Sequence, residues 1–424
     1  MLSPVSILSL IIQESRKMSK YLIVTHQFLP HVSPRTTRWK LLVDELVSLG
    51  HEVTVLTGTK QHSQDSNIET IFVGNSRASN VVVSLRNQSN GLDSKNRIKS
   101  IIFKLLKKVY RFVIRNFAWP DYTMFWLISV FKVRKKLNLE YDVLVTVSLP
   151  FSSHIAGYLI NKKIGKPWIR DVGDPFTLKT TASENNSFLY GRLNKYYEGK
   201  FYQQASKVLF THDDARKIHI KEFQINPSIT VVGQPISKFR EHLYEQTKNY
   251  NYTNNEIKFG YFGIFTHGVR TPVNFINFLD KFQNYEMHWY INSDSESILQ
   301  KNTLDSSKHN FNSHVARDEA LQLMTTSFHC LVSIGNLNPN QIPSKVIEYI
   351  ATGKPVIHFA EINDDPVIPI ADEFDNLFII TKNTDINIFK KDLNKFFSEI
   401  DNFDSKKFNK LYSPSALIEK LDTF

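Results

Sequence analysis

The sequence predicts an α/β protein made of two successive doubly wound domains, each on a parallel sheet. Three observations carry this expectation. Short runs of apolar, β-branched residues alternate with helix-period segments along nearly the whole chain. At 424 residues and 42% hydrophobic content, the chain can form two or three domains, each with its own core. A polar stretch, TKNYNYTNNE at 247–256, interrupts the alternation, which then starts again.

In the first half, Tyr21–Thr25 is a short apolar run followed by the proline-bearing loop HQFLPHVSPR. A helical period then runs through Trp39, Leu42, Val43, Leu46 and Val47 to a stop at Gly50, and HEVTVLTG gives the next strand. Strand, loop, helix and strand within about forty residues make a βαβ unit. The rhythm recurs in YDVLVTVS (strand), HIAGYLINKKIG (helix) and PWIRDVGD (strand), with KVLFTH and SITVVGQP as two more strands. The second half reads the same way. IKFGYFG, MHWYIN, FHCLVSIG and PVIHFA are strands, while VNFINFLDKF, ALQLMTT and SKVIEYIATG are helices. Two helical patterns close the chain, IFKKDLNKFFSEI and SALIEKL, and no internal repeat is evident. The expected division is an upstream extension at 1–18, a first domain at 19–246, a linker at 247–256, a second domain at 257–405, and a terminal helix at 406–424 that returns to the first domain.

Composition excludes several classes. The apolar fraction rules out a mainly disordered chain, and scarce Gly and Pro rule out collagen-like and low-complexity architectures. The single cysteine, Cys330, excludes a disulfide framework and any cysteine-based zinc or iron–sulfur site, and fits a reducing compartment. No uncharged apolar run reaches the length of a membrane span. The opening MLSPVSILSLIIQ looks like a signal-peptide core but lacks a basic lead and a small-residue cleavage site. Met18, just before KYLIVTH, is read as the natural start, and the protein as cytoplasmic.

The net charge of +11 calls for an anionic partner, and the excess is concentrated. Residues 97–136 carry eleven Lys and Arg against one acid, Asp121. Ile98, Ile101, Ile102, Leu105, Val109 and Phe112 share one helical face there. Such a basic amphipathic helix suits an anionic bilayer surface, making the protein peripheral to the inner face of the plasma membrane. It equally suits a core-facing helix with a solvated basic side.

Motifs narrow the chemistry. There is no GxxxxGK[ST] loop, no GxGxxG after the first strand and no HExxH, so P-loop, dehydrogenase and zinc-protease readings are weak. Asp213–Asp214 and Asp364–Asp365 read as solvated loop or helix-start acids, and no metal site is expected. The most informative segment is NPNQIPSKVIEYIATGKPVI, 338–357. Ser344, after Pro343, is a plausible N-cap, and a helix starting there turns free N–H groups toward a phosphate. Lys345 in the first turn adds a point charge. Glu348, one turn on, could accept hydrogen bonds from ribose hydroxyls.

Here the chain resembles the GT-B glycosyltransferases, particularly the retaining enzymes of family 4 and a bacterial subgroup that makes surface polysaccharides such as capsule or lipopolysaccharide. SKVIEYIATGKPVI is similar to their donor-binding signature. HQFLPHVSPRTTRWKLLVDELVSLGHEVTVLTG is similar to the family's first loop and helix. FAWPDYTMFW, YDVLVTVSLPFSSHIAGYLINKKIGKPWIRDVGDPF and YFGIFTHGVRTPVNFINFL follow in the expected order, so the matches cover most of 20–360.

The resemblance implies two Rossmann-like domains facing a cleft, with acceptor bound to the first and a nucleotide sugar, UDP- or GDP-linked, to the second. It implies a metal-independent, hexosyltransferase-type enzyme acting on a glycan or lipid-linked oligosaccharide acceptor with retention, and no nucleic acid. Of the family's two glutamates seven residues apart, the second falls on Glu348 and the first on Asn340, an amide. Pro343, Ser344 and Lys345 match the phosphate-facing helix start. In the loop opened by Gly263, the usual Arg falls on Ile264, leaving Arg270 and Lys345 as the diphosphate pair, with His267 near the transferring region. On the acceptor side the matches point to Arg35, Arg38, Ser153 and His154, with Asp174 or Asp171 as the catalytic carboxylate. Three other readings compete: a GT-B epimerase needing no acceptor, a non-catalytic GT-B scaffold, and a nucleic-acid-binding protein using the basic segment.

Overall fold

The computed structural model describes residues 18–31, 33–60, 68–74, 112, 116–137, 140–162, 164–178, 184–248, 256–266, 268–282, 284–300, 307–337, 339, 342–398 and 403–421. The chain forms two compact units, divided after Gly233; Gln234–Lys420 is the second, and Leu421 belongs again to the first.

The first unit opens with β1 (Lys20–Thr25), α1 (Pro34–Ser48), β2 (Glu52–Thr57) and β3 (Glu69–Phe72). It continues with α2 (Met124–Val133), β4 (Val143–Val147), α3 (Ser152–Asn161), β5 (Trp168–Val172), α4 (Ser187–Gln204), β6 (Lys207–Phe210), α5 (Asp213–Phe223) and β7 (Thr230–Val232). The strands pair in parallel in the order β3-β2-β1-β4-β5-β6-β7. β4 and β5 are buried at every position, as expected of strands covered by helices on both faces. α1 starts where the sequence offers Ser33 and Pro34: the Ser33 hydroxyl accepts from the Thr36 N–H, and proline fills the first helical position.

The second unit holds α6 (Glu241–Lys248), β8 (Ile257–Phe262), α7 (Val273–Leu279), β9 (Tyr285–Ile291), α8 (Ser293–Leu299), β10 (His309–Ser313), α9 (Arg317–Thr326) and β11 (Cys330–Ile334). α10 (Ser344–Ile350), β12 (Val356–Phe359), α11 (Ile368–Ala371), β13 (Leu377–Ile380), α12 (Ile386–Ser398), α13 (Ser405–Tyr412) and α14 (Pro414–Leu421) complete it. Its parallel order is β10-β9-β8-β11-β12-β13. One face of the sheet packs on an aromatic cluster around Trp289, Phe275 and Phe389, the other on Tyr349, Phe408 and Tyr412. Leu243 of α6 and Phe408 of α13 both belong to this second core. At the chain's end, the buried Lys207 ammonium on β6 donates to the Leu421 carbonyl at 2.8 Å.

β3, β10, β13, α2, α4, α5, α6, α8, α11 and α13 add to the elements expected from the sequence. Only Phe112 and 116–136 of the basic segment are described; its stripe from Ile98 to Val109 lies outside the described residues, as do 1–17 and 249–255.

Candidate functional site

A doubly wound sheet reverses strand order at one point, and ligands bind there, beyond the carboxyl ends of the strands. In the second unit the reversal lies between β8 and β11. The loops leaving these strands are joined: the Leu337 N–H donates to the Val269 carbonyl at 2.8 Å. Arg270 then reaches across, its Nε and Nη2 donating to Asn336 Oδ1 at 3.1 and 2.8 Å. Burial raises the pKa of the Tyr261 phenol beneath the loop, and the adjacent Arg270 guanidinium opposes that rise. Gly263 is required here by space, because a Cβ would come within 2.9 Å of the buried Tyr261 hydroxyl. Ile264 next to it is half exposed, an aliphatic side chain where the resemblance leads one to look for a cation.

Glu348, on the first turns of α10, is almost fully buried. Arg317 Nη2, from the start of α9, donates to its Oε1 at 2.8 Å, and Lys345 Nζ donates to Oε2. Burial works to raise the Glu348 pKa, but Lys345, Arg317 and Arg240 outweigh it and hold the carboxylate below its ordinary range. A carboxylate pair of oxygens has about four acceptor positions, so two donors leave room for more. Pro343, not Ser344, is the N-cap; Ser344 is the first helical residue, exposed, and no side chain caps the helix. Lys345 is turned to Glu348 through this i,i+3 pair.

In the first unit the reversal lies between β1 and β4. The His26 N–H, just past β1, donates to Ser153 Oγ at 3.2 Å. Burial, helped by His31, lowers the His26 pKa to about 4, so the ring is neutral near pH 7. Arg35 donates to the Leu149 carbonyl and pairs with Asp174 Oδ2 at 3.1 Å. Asp171 differs sharply from Asp174. It lies within β5, fully buried, and receives Trp39 Nε1 on Oδ2 while Arg38 Nη1 stands 3.5 Å from Oδ1. Arg38 also donates to the Gly233 carbonyl at 3.1 Å. Asp171 thus fastens α1 to the sheet, and Asp174 is the partly exposed carboxylate of the two. Ser153 and His154 start α3 but point inward; the His154 Nδ1 lies 2.6 Å from Thr146 Oγ1, and burial, then Arg170 and Arg35, holds its pKa well below the usual value.

Solved structures share this two-sheet architecture over nearly the whole chain. A glycosyltransferase from Rickettsia africae superposes with a TM-score of 0.56 at 14% identity, covering 96% of this chain and 97% of that one. HepE from Anabaena, solved with UDP and glucose, gives a TM-score of 0.60 at 11% identity, with 96% and 100% covered. WaaG, a glycosyltransferase involved in lipopolysaccharide biosynthesis, gives 0.52 at 15% identity, with the same 96% and 100%. The fold is GT-B. No protein-family model matches the sequence, and no curated protein matches it either. At these identities the likeness is one of fold, and GT-B folds carry more than one function.

On this GT-B frame, Gly263 and Arg270 flank the second sheet's reversal, while Glu348 and Lys345 form a separate knot with Arg317. His267 and Asn340 lie outside the described residues. Sequence reading missed Asn336, Arg317 and Arg240, whose roles come from partners far along the chain. It also read Asp365 as a solvated acid; instead it is buried 3.2 Å from His358 Nε2, in a niche where a Cβ on Gly335 would fall 2.1 Å from its Oδ2. His358 in turn meets Ser333 Oγ at 3.0 Å, so the group braces the loop after β12. Among the described residues, no three His, Cys, Asp or Glu side chains gather as a metal site needs, and no helix is long and apolar enough to cross a membrane.

Proposed function

We propose that this GT-B protein is a glycosyltransferase that moves a sugar from a nucleotide-diphosphate donor to a glycan or lipid-linked acceptor in cell-surface polysaccharide synthesis. The observation that carries the reading is the Arg270 guanidinium at the strand reversal of the second sheet, oriented by Asn336. A guanidinium is suited to bidentate contact with a diphosphate. The donor base is uridine or guanosine; the complexes of HepE with UDP and glucose and with UDP-glucose favour uridine. The involvement of WaaG in lipopolysaccharide biosynthesis supports the acceptor class.

In this reading Glu348 accepts the ribose hydroxyls, and Arg270 with Lys345 neutralises the diphosphate near Gly263, Pro343 and Ser344. Lys345 has to share itself between Glu348 and the phosphate. As the glycosidic bond breaks, charge develops on the leaving diphosphate, and fixed cations that bind it more tightly then lower the barrier. No metal is assigned to this step. Asp174, with Arg35 beside it, is the acceptor-side carboxylate; retention and family-4 character rest on the sequence resemblance. The basic stretch 97–136 would hold the enzyme at the cytoplasmic face of the membrane.

Calorimetry and thermal shift with UDP, GDP, ADP and CDP test the donor site. Binding of one nucleotide diphosphate that is weakened in Arg270→Ala supports the reading, and the absence of heat and shift with all four counts against it. Mass spectrometry of donor hydrolysis then identifies the sugar.

A further inference from the structure

Three pairs of chain neighbours close a circuit of hydrogen bonds at the strand reversal of the first sheet. The Ser152 N–H, first in α3, donates to Asp121 Oδ2 at 2.9 Å, and the Ser152 hydroxyl donates to Oδ1 at 2.9 Å. The His26 N–H donates to Ser153 Oγ at 3.2 Å, and Gln27 Nε2 donates to the Tyr122 hydroxyl at 2.8 Å. Residues 26–27, 121–122 and 152–153 are thereby each tied to the other two. Asp121 is fully buried, and the Thr123 N–H and hydroxyl also donate to its Oδ1, at 2.9 and 2.6 Å. α3 has no side-chain cap at Phe151; the Asp121 carboxylate, from thirty-one residues upstream, takes that place at the positive end of the helix.

The FAWPDYTMFW stretch is fixed at four successive residues, each by a different partner. Trp119 Nε1 donates to Asn194 Oδ1 at 3.0 Å, and the Pro120 carbonyl accepts from Asn185 Nδ2 at 2.7 Å, just ahead of Asp121 and Tyr122. His26 is held as firmly. Its carbonyl accepts from the Gly58 N–H and from the Thr57 and Thr59 hydroxyls, each at 3.1 Å. Its ring meets Tyr122 and Trp126 edge to face, with centroids 6.2 and 5.2 Å away, and a Cβ on Gly58 would come within 2.7 Å of it. The imidazole Nδ1 nevertheless makes no hydrogen bond, and both His26 and Tyr122 are partly exposed. A backbone fixed on both sides of a ring that is itself unsatisfied places that ring for a ligand.

We propose that Asp121 is a positioning residue of the acceptor side: through Ser152 and Ser153 it fixes His26, and with Tyr122 it presents an aromatic, hydrogen-bonding surface to the acceptor sugar. A pyranose offers C–H faces to aromatic rings and hydroxyls to an imidazole, and a few such groups suffice to orient a ligand. A carboxylate that only capped α3 would have no need of the Gln27–Tyr122 link or of an unsatisfied His26 ring beside it. The inference rests on the transferase reading and names a part of the first unit, besides Asp174, that recognises the acceptor.

The test is transfer by the full chain, from the donor that mass spectrometry identifies, to p-nitrophenyl α- and β-glycopyranosides, with KM measured for donor and acceptor separately. Asp121→Asn loses the charge but keeps an oxygen for α3. Its acceptor KM is expected to rise about tenfold, with the donor KM and nucleotide calorimetry near wild type. Because Asp121 is buried, a second variant leaves it in place. Gln27→Ala opens the circuit on its exposed side and is expected to raise the acceptor KM about threefold at an unchanged unfolding midpoint. Three results overturn the inference: an unchanged acceptor KM in both variants, donor and acceptor KM rising together, or no transfer to any glycoside by a chain that hydrolyses the donor. A chain that binds no nucleotide diphosphate loses the transferase reading first, and this inference with it.

Discussion

Arg317 Nη2 and Glu348 Oε1 stand 2.8 Å apart, joining residues from two different helices of the second unit. The pair fixes the carboxylate of α10 from outside its own helix, with Lys345 holding the second oxygen. Arg317→Ala is therefore expected to cost about 1.5–3 kcal/mol, the range for a hydrogen bond to a charged group. It should also weaken the binding of ribonucleotide more than that of the 2′,3′-dideoxy analogue. Glu348→Gln should erase the difference between the two ligands in calorimetry. Equal losses for both ligands in each variant would deny the carboxylate a ribose contact.

Arg270→Ala removes the guanidinium that spans the reversal of the second sheet. A nucleoside diphosphate is expected to bind about tenfold more weakly or worse, with the free nucleoside little changed, because the lost contact is charge-assisted. Arg270→Lys should restore only part of the affinity, since an ammonium cannot reproduce the fork held by Asn336.

The two aspartates of the first unit should separate cleanly. Asp171→Ala leaves a mostly covered Arg38 without its carboxylate, and a loss on the order of 3 kcal/mol in urea unfolding is expected. Asp174→Asn removes a half-exposed pair with Arg35, for which less than about 1 kcal/mol is expected. Its effect should appear in turnover instead. A stable, fully active Asp174→Asn enzyme would remove that residue from the acceptor side.

His329 predicts how stability depends on acid. Its Nδ1 accepts the Lys258 N–H at 2.9 Å, and burial, followed by Lys354 and Lys258, lowers its pKa from 6.5 to about 4. Between those values the unfolded chain binds the proton and the folded one does not. The contribution is thus complete above about pH 6.5 and is lost as pH falls toward 4. His329→Asn keeps an acceptor oxygen without the titration, and its urea midpoints should vary less over this window.

The strands that bury apolar faces were legible, because β1, β4 and β11 read as nearly continuous apolar runs, and β5 and β8 keep enough apolar residues around Arg170, Asp171 and Lys258 to read the same way. β10 was not. Its HNFNS sequence looks like a loop, yet His309 is buried and bonded by Trp289 Nε1 at 3.0 Å and lies 3.1 Å from the Tyr285 hydroxyl. α4 escaped because its apolar residues follow no single stripe: Asn194 and Glu198 are buried beside Phe201 and Tyr202, while Phe188, Leu189, Leu193 and Tyr196 are exposed. At the candidate site Arg270 and Glu348 could be found from local pattern and resemblance. Their partners Asn336 and Arg317 could not, since each pairing is made by folding across more than thirty residues. Asp171 and Asp174 have the same chemistry and nearly the same address, and only the depth of β5 tells them apart.

The departure at Gly233 and the return at Leu421 make the second unit an insert within a host. Gln234–Lys420 can be excised as one uninterrupted piece, whereas the host is necessarily discontinuous. Cropping the last four residues would accordingly injure the lobe farthest away in chain numbering: β6 would forfeit the Leu421 carbonyl that receives its buried Lys207, while the insert would keep its whole sheet.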